Sequence, residues 1–332
     1  MNAPSPFVRV VGLSLLVPLV VSLLLTVFAW PAVNTAPNKL PIGLVTNTTM
    51  TQRLPKLLEG IRPGAFDLKA FASEQDVRQA ILEREVYGAI LLEPTKPADF
   101  KILTASAGSP GVAQLIGVIG GQIGTLLSAS GFTAPILEDV VPAASDDPRQ
   151  AALVGSALPL VISGIVSGLL LTMRLQTASE RIVAILLVAL FTGFAMTSIV
   201  QFGFKTLEGS YLTNSLIASL AVAAVVSFEV GLGSSFGTPG LGLAAFTMML
   251  VANPFSALSS APEMLPGIWG PIGQLLPLGA FGHLLRSVAF FDGHGASQPF
   301  WVLLGWVIFG LTLVLFGSRQ SNQTATRALA TH

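Results

Sequence analysis

Residues Asn253–Arg286 read NPFSALSSAPEMLPGIWGPIGQLLPLGAFGHLLR. These 34 residues hold two formal charges, Glu263 and Arg286, but five prolines and five glycines. Proline removes a backbone donor and clashes with the preceding turn, so one continuous helix is excluded. In hydrocarbon every backbone polar group needs an internal partner, and non-helical chain survives at membrane depth only inside protein or along a cavity. The stretch therefore predicts a re-entrant pair of short helices, roughly Leu265–Leu276 and Gly279–Val288, in a hairpin at about 262–290. An ordinary interfacial loop between spans is the alternative. Glu263, Pro266, Pro277, His283 and Arg286 are the candidate gate residues of such a hairpin.

The rest of the chain agrees with a membrane setting. It is 52% hydrophobic and 10% charged, with a mean hydropathy of +0.73, which is the range of multi-span membrane proteins. Basic and acidic residues balance and no basic block occurs, so nucleic acid is not an expected partner. Zero cysteines exclude disulfides, thiolate catalysis and Cys-based metal sites, and the three histidines, at 283, 294 and 332, form no His-rich motif. No G-x-x-x-x-G-K-[ST] loop is present to cradle a nucleotide phosphate. Nucleophile–base spacing is also missing, so the expectation is a non-enzymatic chain without a cofactor.

Val10–Trp30 is 21 residues without a charge, about the length needed to cross a bilayer, and predicts a retained first transmembrane helix at 10–30. Residues 31–150 hold 10 of the 17 basic and 12 of the 17 acidic residues, and predict a small extracytoplasmic α/β domain. Its expected strands are Leu40–Thr46, Phe66–Phe71, Val86–Leu92 and Phe100–Thr104, and Gln75–Glu85 has helical spacing of Val77, Ala80 and Ile81. Ile102–Leu137 is uncharged and long enough to span. Its glycines and glutamines instead point to a helix of the outer domain, with Gly117/Gly121 and Gly120/Gly124 suited to close packing on another helix.

Residues 151–318 predict a membrane domain with five spans, near Leu153–Met173, Ile182–Gln201, Leu212–Val230, Leu241–Leu258 and Trp301–Phe316. With the first helix the fold class is an α-helical integral membrane protein of about six transmembrane helices plus the hairpin. Short segments carry Arg9, Arg174, Arg181, Arg319 and Arg327 on one side against Lys205 and Arg286 on the other. The basic excess marks the cytoplasm. Both termini, including the 319–332 tail, are then cytoplasmic and the protein sits in the plasma membrane. Within the spans, Glu229 is the acid set in a long apolar run. It is read either as a solvated group at the inner headgroup boundary or as a protonatable group in a path. Gly164 and Gly168, each preceded by serine, form a flat strip suited to a helix–helix seam, within the chain or between two copies.

Three runs carry a family resemblance: Ala261-Pro262-Glu263-Met264-Leu265-Pro266, then Leu275-Leu276-Pro277, then His283-Leu284-Leu285-Arg286. A fourth is Tyr87-Gly88-Ala89-Ile90-Leu91-Leu92-Glu93-Pro94. With the order of parts, they make the chain resemble the type-2 permease family of ABC transporters, in its phage-infection-protein-like exporter branch. The resemblance implies a permease that dimerises, as homodimer or heterodimer with a related permease, works in membrane lipid, and is powered by a separate ABC ATPase subunit. It also implies a coupling loop at Arg174–Arg181, with Arg174, Thr177, Glu180 and Arg181 as candidates, where a plain solvated turn is the competing reading. Two other functions stay open: a membrane-anchored extracytoplasmic scaffold or receptor, because few residues precede the first span, and an ion-coupled secondary transporter using Glu229.

Overall fold

A computed structural model of the chain describes residues 6–92 and 100–330, so Glu93 and Pro94 of the Tyr87–Pro94 run lie outside the described residues. Helix α1 (Pro6–Val33) is apolar all round and packs little, with Leu15, Leu19 and Leu25 each about two-thirds exposed. Side chains of this kind without a protein partner are those of a lipid-facing helix.

The charged block that follows folds as strands and helices in alternation: β1 (Leu40–Thr46), α2 (Thr48–Ile61), β2 (Phe66–Ala70), α3 (Glu74–Leu82), β3 (Gly88–Leu92), β4 (Lys101–Thr104), α4 (Pro110–Leu127) and β5 (Ile136–Asp139). The five strands form one sheet in the order β2-β1-β3-β4-β5, parallel except for the β3–β4 pair. β3 is buried along its whole length, as expected of a central strand covered on both faces. Caps set the helix starts: the Asn47 side chain accepts from Met50 N, Ser73 from Asp76 N and Ser109 from Val112 N. α2 and α4 cover one face through Leu54, Leu58, Ile116, Ile119 and Ile123, and α3 covers the other through Val77 and Ile81.

The membrane part comprises α5 (Ala151–Arg174), α6 (Ala178–Ser198, continued by a π-helical turn Ile199–Gly203), α7 (Tyr211–Phe236), α8 (Thr238–Phe246, continued by a π-helical turn Thr247–Ala252), α9 (Trp269–Gln274), α10 (Pro277–Phe290) and α11 (Ser297–Ala330). α7 is the hub, buried almost continuously from Ser219 to Gly233 and packed by α5, α6, α8, α10 and α11. Small residues allow the approach. A Cβ on Gly164 or Gly168 would run into Val225 or Glu229, one on Gly193 into Ser219, and one on Gly310 or Gly317 into the backbone around Ser227 or Ser234. The Gly164/Gly168 strip is thus a seam within the chain.

Among the described residues six helices are long and apolar enough to cross a membrane: 10–33, 110–127, 151–174, 178–203, 211–236 and 297–319. These mark a multi-pass membrane protein. The number agrees with the expected six but the membership does not. The 110–127 helix is α4, whose apolar stripe is spent on the sheet. The span expected at Leu241–Leu258 is corrected: the helix starts at Thr238, just after Gly237 at φ +66, and ends at Ala252, giving a shorter apolar helix. The first turn of α8 lies beside the α7 end that meets Arg181 and Gly317, and the chain beyond its last turn meets the sheet domain through Ala261.

Candidate functional site

The broken stretch condenses beside that domain. Pro262–Met264 makes one 3₁₀ turn, Pro266 is followed by Gly267 at φ +60 as a tight turn requires, and the two expected short helices are α9 and α10. Pro277 does not interrupt a helix; it occupies the first position of α10, where its missing N–H is not needed. Glycines permit the fold-back, because a Cβ on Gly273 would overlap the Phe255 carbonyl. α10 is buried along most of its length between α7 and α11.

The domain docks on this hairpin through polar side chains. Arg84 Nη1 donates to the His283 carbonyl at 3.0 Å and to Ser287 Oγ at 2.6 Å, and its guanidinium lies 5.0 Å from the centre of the Phe291 ring. Tyr87 Oη donates to Glu263 Oε2 at 2.8 Å. Main-chain bonds from Ala36 N to Met264 O and from Asn38 N to Glu263 O tie the chain after α1 to the same turn. Arg286, 5% exposed, donates from Nε to Gln150 Oε1 at 2.8 Å and from Nη2 to the Leu258 carbonyl. Gln150 in turn donates to Ala107 O at 2.6 Å. Burial lifts the Tyr87 hydroxyl far above the usual tyrosine range, and the Glu263 carboxylate adds to it, so Tyr87 stays a donor. Burial also pulls Arg84 below the usual arginine range, with Tyr87 and Glu263 acting the other way.

These groups enclose a cavity of about 390 Å³ between domain and hairpin, lined by Lys39, Arg84, Tyr87, Glu263, Gln274 and His283 among others. Arg84, Tyr87, Glu263 and His283 are half-buried because they face this space rather than bulk water. Among the described residues six non-glycine residues have positive φ, and two of them, Lys39 and Arg84, line this cavity. Left-handed backbone at such residues is strained, and strain of this kind gathers at functional sites.

The other candidates lie elsewhere. The Arg174–Arg181 turn is at the far end of the bundle and is tight, with Leu175–Thr177 joining α5 to α6. Thr177 and Glu180 form a capping box: Thr177 Oγ1 accepts from Glu180 N, and Glu180 Oε2 accepts from Thr177 N. Arg181 donates to the Leu175 and Thr172 carbonyls and to Ser234 Oγ, closing the end of α5 onto α7. Arg174 is exposed, without a hydrogen-bond partner among the described residues. Glu229 is 1% exposed on the α5-facing side of α7, with Oε1 unpartnered, so the solvated boundary position does not hold for it. Sequence reasoning named Glu263, His283 and Arg286 and quoted Tyr87 only within the Tyr87–Pro94 run, but it missed Arg84 and Gln150, which no local pattern distinguishes from surface residues.

No family model matches the chain, and neither a curated protein nor a solved structure is significantly similar to it. The likeness to type-2 permeases therefore rests on the runs quoted from the sequence.

Proposed function

We propose that the chain is the permease subunit of an ABC-type exporter, working as a dimer in the plasma membrane with both termini cytoplasmic and with ATP hydrolysed on a separate ATPase subunit. The observation that supports this reading is the proline-broken segment closed into a short-helix hairpin, seated between the helical bundle and a small α/β domain. A hairpin at this place, before the last span, is what the resemblance to type-2 permeases implies. Affinity purification of the full chain is the direct test, and the expected result is co-recovery of a P-loop ATPase. Arg174→Glu should lower that recovery about tenfold without changing the amount of permease in the membrane, since Arg174 is exposed and holds no local structure together. A stable oligomer free of any ATPase overturns the proposal in favour of a scaffold or receptor.

A second reading has one specific observation in its favour. Glu229 is buried in the central helix with an unpartnered carboxylate oxygen. A buried intramembrane acid of this kind is characteristic of proton- or ion-coupled transporters. Transport that follows a proton gradient, survives removal of ATP and is abolished by Glu229→Gln would establish it.

A further inference from the structure

We propose that the cavity between the α/β domain and the α9–α10 hairpin binds a small amphipathic oxyanion, a carboxylate or phosphate carried on a short apolar body. The inference does not depend on the export reading.

Charge is the first argument. Two guanidiniums, Arg84 and Arg286, meet at this joint, and Lys39 adds a third cation at the cavity wall. One carboxylate, Glu263, faces them, and it already accepts from Tyr87. Among the described residues no ion pair links Arg84 or Arg286 to an acid. Buried charges are ordinarily paired, because an isolated ion loses its hydration without recompense. Arg286 is 95% removed from solvent, and its Nη1 has no protein partner among the described residues. It lines a small void of about 10 Å³ together with Arg84, Tyr87 and His283, which all also line the main cavity. That void has room for no more than a water, so the oxyanion belongs in the main cavity beside Arg84 and Lys39, where Glu263 alone leaves the positive charge unmatched.

Shape is the second. At about 390 Å³ the cavity falls within the range of small-molecule sites. Ile81, Val86, Leu265 and Phe291 add apolar lining to the same cavity. Backbone is the third and is independent of both: Lys39 and Arg84 sit at φ 53 and 63, so the two cations that line the cavity are held there by strained turns.

The test uses the full chain purified in a nonionic maltoside detergent, with thermal unfolding followed by tryptophan fluorescence. Hexanoate and hexyl phosphate serve as soluble probes, hexanol as the uncharged control, and nanodiscs of phosphatidylcholine with or without phosphatidylglycerol as the lipid arm. The expected result is a saturable rise in Tm with an anionic probe and none with hexanol. Stabilisation by the soluble anions identifies a free metabolite-like ligand; stabilisation by phosphatidylglycerol alone identifies a lipid headgroup. In either case Arg84→Asn, chosen because asparagine tolerates left-handed backbone, should weaken the apparent affinity about tenfold or more, as loss of a charge-assisted hydrogen bond does. Lys39→Asn, at the cavity wall and free of the docking bonds, should weaken it about threefold, and it carries the test alone if Arg84→Asn does not accumulate. No saturable shift with any anionic probe, or an undiminished one in the variants, overturns the proposal.

Discussion

A leucine at Gly168 would push into Glu229, whose Cβ already lies 2.8 Å from where a Cβ on this glycine would be. Overpacking of a well-filled core costs about 1–3 kcal/mol, so Gly168→Leu should lower the detergent-phase Tm and the amount accumulated, whereas Gly155→Leu, with open space around it, should not. Arg78 offers a pH-dependent counterpart. It donates to Glu74 and Glu138, joining α3 to the edge strand β5. Its hydrogen bonds are the main reason that both carboxyls lie below the ordinary value of 4.5. Folded pKa values that are depressed contribute stability above the unfolded value, and the contribution is lost as pH falls through the lowered ones. The groups are partly exposed, so the network contributes at most about 1 kcal/mol. Arg78→Ala should therefore be slightly less stable than the parent at pH 7, with the gap closing below about pH 4.5. Constant separation from pH 7 to pH 3.5 would assign the effect to packing. At this scale the sequence revealed Glu229 and Arg286 as charges in apolar surroundings, because composition alone exposes them. Arg84 and Gln150 were hidden, since their importance comes from partners more than 130 residues away.

Among the elements, the strands at 40–46 and 88–92 and the helix at 74–82 were legible because each buries a continuous or regularly spaced set of apolar side chains. Helix α2 was not among the expected elements, although Met50, Leu54, Leu58 and Ile61 keep helical spacing; Pro55 lies in its middle. β5 is four residues long and mostly exposed, which leaves no pattern to detect. α4 packs its apolar stripe on the sheet, and its glycines allow a close approach to a strand and a loop rather than to another helix: Gly120 meets Ile102 and Gly124 meets Pro135. The hairpin was legible as two short helices, and Pro277, expected between them, occupies the first position of α10, where its missing N–H is not needed. It follows that Pro277→Ala should cost less than about 1 kcal/mol and leave activity nearly intact. Gly273→Ala should be the damaging change, since its new Cβ overlaps the Phe255 carbonyl. Thermal unfolding of the two variants side by side decides this, and a larger loss for Pro277→Ala would make the proline, not the glycine, the residue that fixes the hairpin.

For the whole molecule, the proposed topology places the sheet domain and hairpin together on one side and the Arg174–Arg181 turn on the other. The chain has no native cysteine, so single cysteines at Glu83, Asp146, Arg174 and Arg327 are unambiguous labels. An impermeant thiol reagent on intact cells should modify the first two and spare the last two, and modification at Arg174 would refute the orientation.

The Arg84 contacts also impose an order in time. They join residues 199 and 203 positions apart, while the sheet they spring from is complete by Asp139. Domains fold as units, N-terminal first, as the ribosome delivers them at roughly 5–20 residues per second. The α/β layer is therefore finished many seconds before α10 emerges, and its docking face must wait. A nascent chain stalled before Pro277 would present a folded domain whose docking face, Arg84 included, is still uncovered.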